Sequence, residues 1–496
     1  MTPQEPEGRE AQDEDKAYCL MNLGDGKGSA PRKALSRIEL SNLNSDAQEF
    51  VSRIPIGGIS PNGPRSEEWQ RIGANYLTGQ ILPGRRKSME PITKRIPDED
   101  YQRMQQFITD STWDAKATTD AMISFLSDKI AKPDGVIIID DTGCKKQGKM
   151  SPGVARQYFS EKAFTGNCQV TVTSIYSDSI GPTNADIINW PLGMILYLPE
   201  SWSEDSYRRK QAGIPSSKRY QTKEKLALSL IENARERNVP HKVILADTWY
   251  GRIYDFRDQL REWKEPYIVG ILLDGFQFVD ADTPILLPGA FGKYHGRKRV
   301  HPVLSEGAKC RTPRQIADMN KDWKTITWAE GTKGDLTARF TRRKVRTIKN
   351  HKVPSEEISW LLLEDGAEGL KAFICWGLDD LSLADLVRLA HMRWAIEDYH
   401  KQIKDRLGFD HFQGRKYRGW LHHAVLTQMT YALLAWLRWK QRDFDGEISL
   451  PTLPEVRRLL LMAIVEHLQI AQPRTGGRRY RPCKACPLKR LVLEAA

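Results

Sequence analysis

Residues Arg393–Gly408, RWAIEDYHKQIKDRLG, place Arg393, Glu397, Lys401 and Lys404 at spacings of four, four and three. On an α-helix those spacings stack side chains on one face. A carboxylate ringed by cations suits a metal ion held beside phosphate groups. Two acidic positions upstream, Asp140 and Asp247, each follow a short apolar run. Cleaving a phosphodiester needs an activated water and a stabilised leaving oxygen, and two divalent ions about 3.5–4 Å apart supply both. Mg²⁺ takes oxygen ligands and keeps several waters, so two Asp and one Glu suffice, with Mn²⁺ as a substitute. Asp140, Asp247 and Glu397 are therefore the candidate catalytic and metal-ligating residues.

Each residue alone has an ordinary structural explanation. Acids after strands cap helices or form turns. Glu397 is spaced to pair with Arg393 or Lys401. It is the three together, in the right element order, that point to chemistry.

The elements that would carry them are legible from periodicity. Val136–Ile139 is a wholly apolar β-branched run, expected as a buried strand ended by Asp140-Asp141-Thr142-Gly143. Strands are expected at Asn167–Ser174, Met194–Leu198, Val243–Ala246 and Tyr267–Leu272, with helices at Lys223–Arg235 and Tyr254–Trp263. Three strands, a helix, a strand, a helix and a strand is the order of a ribonuclease H-like core. There the first and fourth strands run parallel side by side, so Asp140 and Asp247 meet at their carboxyl ends. The expected fold class is α/β: a mixed five-stranded sheet flanked by helices, a β-rich insertion, and helical N- and C-terminal regions.

The expected division is a disordered acidic leader (1–30), a helical N-terminal domain with DNA-end binding as a candidate role (31–128), and the first part of the core (129–272). A basic β-rich insertion (273–375), the second part of the core with the Glu397 helix (376–442) and a basic C-terminal region (443–496) follow. The leader holds seven acids and three bases. Helices are expected at Ser66–Leu77 and Asp98–Asp110, around a basic turn at Pro83–Lys87. In the insertion, Lys324–Trp328, Leu336–Phe340 and Lys344–Ile348 alternate like antiparallel strands. Ile358–Leu363 and Lys371–Cys375 are further strands. Leu383–Leu407 reads as one long helix, ended by Gly408, and Trp420–Arg442 and Leu453–Leu468 as two more.

Of the 496 residues, 40% are hydrophobic and 28% charged, an ordinary globular composition, and the net charge is +12 with a pI of about 9.2. Residues 293–352 hold 17 Lys/Arg and 5 Asp/Glu, which equals the whole excess. Such a segment is either a solvated basic surface or a phosphate-contacting one. Arg297-Lys298-Arg299 and Arg342-Arg343-Lys344 are the candidate backbone contacts. Seven scattered cysteines suggest reduced thiols in a cytoplasmic protein. Cys483 and Cys486 have a metal-like spacing, with neither a second pair nor a close His. No signal peptide and no membrane span are expected.

Several blocks also carry a resemblance. IIIDDTGCKKQGKMSPGVARQYFSEKAFTGNCQVTV, VILADTWYG, WAEGTKGDLTARF and HMRWAIEDYHKQIKDRLGFDHFQGRKYRGWLHHAVL, with YLTGQILPGRRKSMEPI, span roughly residues 75–430. In this order they resemble bacterial insertion-sequence transposases of the DDE superfamily, of the seven-hundred-and-one type, related to the group with a β-strand insertion before the catalytic Glu. The related signature has Tyr, Arg, Glu and Lys at fixed spacings; Arg393, Glu397 and Lys404 match it, while the Tyr position is Ala390. The tendency to Asp-x-Thr favours Asp140 with Thr142, and Asp141 stays open as the alternative ligand because strand register decides which side chain faces the pocket. The resemblance implies a transposase that binds inverted-repeat ends, cleaves with two Mg²⁺ and joins 3′-OH ends to target DNA. Double-stranded DNA is its partner, a homodimer holds the synaptic complex, and the bacterial nucleoid is its place when bound. A structure-specific ribonuclease H-like nuclease and a domesticated DNA-binding relative are the alternatives. Arg393, Lys401 and Lys404 would face phosphates near the scissile bond, or form a solvated face. Trp323 and Trp328 would stack on a flipped base, or serve as core. Arg156 and Gln157 are candidates for DNA or structural contacts, and His422 and His423 read as a helix-packing pair.

Overall fold

The computed structural model describes residues 40–56, 66–96, 99–159, 164–178, 187–289, 300–331, 334–349, 353–442 and 450–470. The acidic leader, Arg297-Lys298-Arg299, Cys483 and Cys486 lie outside the described residues.

Five helices come first: α1 (Leu40–Arg53), α2 (Ser66–Ile81), α3 (Met89–Thr93), α4 (Tyr101–Thr109) and α5 (Ala115–Lys129). Asp100 and Asp114 cap α4 and α5 by accepting from backbone amides one turn in. The core opens with β1 (Val136–Lys145), β2 (Ala155–Phe159), β3 (Phe164–Ser177) and β4 (Asn189–Leu196). Then come α6 (Glu200–Ser203), α7 (Ser206–Ala212), α8 (Lys223–Glu236), β5 (Val243–Ala246), α9 (Thr248–Gly251), α10 (Tyr254–Glu262) and β6 (Tyr267–Ile271). Val136–Ile139 and Val243–Ala246 are buried throughout, as central parallel strands covered on both faces must be. β1 pairs antiparallel with β3 and parallel with β5, β5 pairs parallel with β6, and β4 lies antiparallel on β3. This is the mixed sheet of a ribonuclease H-like core.

The strands after β6 enlarge that sheet. β7 (Gln277–Asp280) joins it, and β8 (Ile285–Leu286) pairs with β9 (Val303–Leu304) apart from it. Helix α11 (Pro313–Met319) precedes β10 (Lys324–Gly331), β11 (Gly334–Lys349), β12 (Val353–Gly366) and β13 (Gly369–Trp376). β13 pairs antiparallel with β6, so β12, β11 and β10 follow outward, and among the described residues eleven strands make one sheet. The two short strands expected at Leu336–Phe340 and Lys344–Ile348 are one strand, β11, because Thr341–Arg343 pair without a break with Leu361–Leu363.

Helices α12 (Leu383–His391), α13 (Trp394–Asp405), α14 (Tyr417–Lys440) and α15 (Leu453–Ile470) close the chain. The single helix expected over Leu383–Leu407 is interrupted at Met392-Arg393, which places Arg393 at the N-cap of α13 instead of mid-helix. Gly408 takes φ +73°, the left-handed conformation that stops a helix. α14 is buried on nearly every side from Trp420 to Arg438, as expected for a helix that packs against β4 and the N-terminal helices at once. Gln80 and His423 supply hydrogen bonds across that packing. No helix of the described residues is long and apolar enough to cross a membrane.

Candidate active-site cleft

The parallel register pairs Ile139 with Ala246, so the next residues, Asp140 and Asp247, leave adjacent strands at the same level. Adjacent strands are about 4.8 Å apart. β1 itself does not end there, contrary to the turn expected at Asp140–Gly143. It runs on to Lys145 against β3, and only its parallel partner stops. Asp140 and Asp141 are therefore successive strand residues with side chains on opposite faces, and each has found a different cation. Arg393 Nη1 lies 3.4 Å from Asp140 Oδ2. Lys223 Nζ, from the first turn of α8, lies 2.5 Å from Asp141 Oδ2.

Asp247 caps the short α9, its Oδ1 accepting from the amides of Trp249 at 2.9 Å and Tyr250 at 3.2 Å. Two glycines let that turn lie flat on β6. A Cβ on Gly251 would stand 1.9 Å from the Gly270 carbonyl oxygen, and one on Gly270 would stand 2.6 Å from Thr248 Oγ1. Glu397 sits in the first turn of α13, its side chain 57% exposed and ion-paired with Arg393. Arg393 thus bridges Asp140 and Glu397.

Burial, and after it the neighbouring Asp247 carboxylate, pushes Asp140 well above the usual carboxylate range. Burial likewise raises Asp247, against the Tyr250 amide, and the Asp141 carboxylate adds to it. The Asp141 carboxylate also raises Asp140, and crowded hard-oxygen carboxylates of this kind fit a divalent cation, which would relieve them. Among the described residues no three Asp, Glu, His or Cys side chains already stand close enough to hold one ion. The Arg393 guanidinium lies between Asp140 and Glu397.

Three residues at this site escaped the sequence reasoning. Lys223 opens α8. Thr173, opposite Asp140 on β3, donates to the Asp140 carbonyl at 3.1 Å and lies 2.7 Å from His400 Nε2. His400 stands three residues after Glu397, and burial lowers its pKa to about 3, so its imidazole is neutral. This chain ties the Glu397 helix to the strand of Asp140. The only signal in the sequence was the position of His400 between Glu397 and Lys404.

The carboxylates open onto a cleft of about 1350 Å³ whose lining includes Arg393, Lys401, Lys404, Arg314, Lys371 and His391. Lys401 is exposed, whereas Lys404 is buried. Trp323 and Trp328 are both half-buried and do not line the cleft. Trp328 stacks on His391, centroids 3.9 Å apart, and so stands one layer behind it; Arg339 lies over Trp323. Arg342 donates to the Leu381 carbonyl, Arg343 pairs with Asp280 and Lys344 with Asp379. Arg156 is exposed, while Gln157 donates to the Gly153 and Cys168 carbonyls. His422 stacks on Trp113 and His423 lies 2.8 Å from the Tyr76 hydroxyl, both inside the helical packing.

Residues 65–335 match the family described as DDE superfamily endonuclease. The chain belongs to that family. The matched stretch includes Asp140 and Asp247, and Glu397 lies beyond it. The chain is also similar to the probable transposase for insertion sequence element IS701 of Microchaete diplosiphon, 30% identical over 198 residues. That alignment covers 40% of this chain and 47% of the relative, so it spans about half of the relative's length.

Proposed function

We propose that the protein is a DNA transposase that binds the inverted-repeat ends of an insertion sequence, cleaves the DNA there and joins the 3′-OH ends to target DNA. The observation that carries this reading is the level meeting of Asp140 and Asp247 on parallel β1 and β5, with Glu397 linked to them through Arg393. The family match and the similarity to an insertion-sequence transposase support it.

Asp140, Asp247 and Glu397 would hold two divalent ions, Mg²⁺ or Mn²⁺ in its place, which would activate the attacking oxygen and stabilise the leaving one. Arg393 presents a planar fork suited to a phosphate, and Lys401 a point charge. When Glu397 leaves Arg393, the guanidinium is freed for the DNA backbone. The His400–Thr173 link keeps α13 in register with β1. Two copies of the chain would hold the two ends together.

A strand-transfer assay tests the reading. A duplex carrying the native end with a free 3′-OH is incubated with supercoiled target plasmid and Mg²⁺. Joined products are expected. Cutting without joining would favour a ribonuclease H-like nuclease, and end binding without either would favour a DNA-binding relative.

A further inference from the structure

Among the described residues, five cations of the basic segment 293–352 are held by acids from other parts of the chain. Arg314 pairs with Asp274, Arg339 with Asp365, Arg343 with Asp280, Lys344 with Asp379 and Lys349 with Asp258. All five acids lie outside the segment. Those five cations are paired in space, and paired surface cations release few counterions from a polyanion.

Beside β1 lies a second basic surface. Residues 205–223 carry six Lys/Arg and one Asp, and residues 145–158 carry four Lys/Arg and no acid. Lys145, Lys149, Lys210, Lys218 and Arg219 are exposed, and none makes an ion pair among the described residues. Arg208 donates to the Lys149 carbonyl at 2.9 Å and so holds the two stretches together, while Arg209 donates to the Lys218 carbonyl at 2.6 Å within the second. Exposed tyrosines lie among the cations, with Tyr207 at 68% and Tyr220 at 40% exposure. The surface reaches the carboxylates. Lys223, three residues after Tyr220, holds Asp141. Lys145 lies on the Asp141 face of β1, four residues or about 13 Å along the strand.

We infer that this surface, built by the 145–150 loop, α7 and the 213–221 loop, is where the DNA backbone runs on from the carboxylates. It rests on the transposase reading for its partner, and it adds an electrostatic contact on the β1 side to any made by the insertion. Phosphates would meet the unpaired cations, and exposed tyrosines would stack on bases where strands are parted.

The test measures metal-free binding of a labelled end duplex, and of the corresponding single strand, across a salt series. It compares the wild type, a Lys210→Ala/Lys218→Ala/Arg219→Ala variant and an Arg339→Ala/Lys349→Ala variant, with thermal melting as the folding check. On duplex DNA the triple variant is expected to bind about tenfold or more weakly, with a salt slope shallower by about 2 to 3, since each phosphate contact contributes about 0.9. The Arg339/Lys349 variant should match the wild type. A loss confined to the single strand would assign the surface to parted DNA, with about 0.7 lost per contact. A triple variant that melts like the wild type and keeps its affinity and slope on both probes overturns the inference and leaves the transposase reading intact. A wild type that binds neither probe overturns both.

Discussion

Lys223 Nζ stands 2.5 Å from Asp141 Oδ2, on the face of β1 opposite the one from which Asp140 meets Arg393. Strand alternation separates two adjacent carboxylates, and the fold gives each its own cation.

The first prediction follows from that separation. Asp141 is held by Lys223, so Asp140 is the better candidate to join Asp247. Asp140→Asn is expected to reduce end cleavage by about a thousandfold or more, an electrostatic loss of about 4 kcal/mol. Asp141→Asn should cost about tenfold or less. Cleavage rates of the two variants check this, and the reverse ranking would make Asp141 the ligand.

Gly251 offers a second prediction, because the turn that aims Asp247 lies against Gly270. A methyl group at residue 251 has only 1.9 Å to a backbone oxygen, so backbone must move. Gly251→Ala should destabilise the protein by about 1–3 kcal/mol and reduce cleavage at least tenfold by shifting Asp247. Urea unfolding and a cleavage assay measure the two effects. A variant with full stability and full activity would mean that α9 does not set the position of Asp247.

The buried His pair makes stability depend on pH. Burial lowers His422 to about 4 and His423 to about 3, against an ordinary value of 6.5. The unfolded chain therefore takes up protons first as pH falls. Stability from these groups is complete above 6.5 and declines as pH falls towards 4, by about 1.4 kcal/mol per pH unit for each His. Urea midpoints at pH 7.5, 6 and 5 should fall in that order, and less steeply in His422→Gln. Equal slopes in the two proteins would contradict the burial of a neutral imidazole at 422.

Short apolar runs made the catalytic core legible. Val136–Ile139 and Val243–Ala246 could only be buried strands, and element order made them parallel neighbours. Less legible was whatever depended on partners distant in sequence. β1 continues through two aspartates because β3 pairs with it, and nothing local in DDTG says so. The break at Met392-Arg393 has no Pro or Gly to mark it. The partners of five cations in residues 293–352, Asp258, Asp274, Asp280, Asp365 and Asp379, lie elsewhere in the chain, so their pairing could not be read locally. His400 and Lys223 looked like ordinary helix residues until α13 and α8 were placed on the sheet.

The most direct test of the central claim is cleavage of a supercoiled plasmid carrying the native element ends, with Mg²⁺ or Mn²⁺, by wild type and by Glu397→Gln. Glu397 is on the surface of the first turn of α13, so the substitution should leave the fold intact. Metal-dependent cutting at the ends by the wild type, absent in Glu397→Gln with end binding retained, is the predicted result. Equal cutting by the two proteins would contradict the assignment of Asp140, Asp247 and Glu397 as one active site.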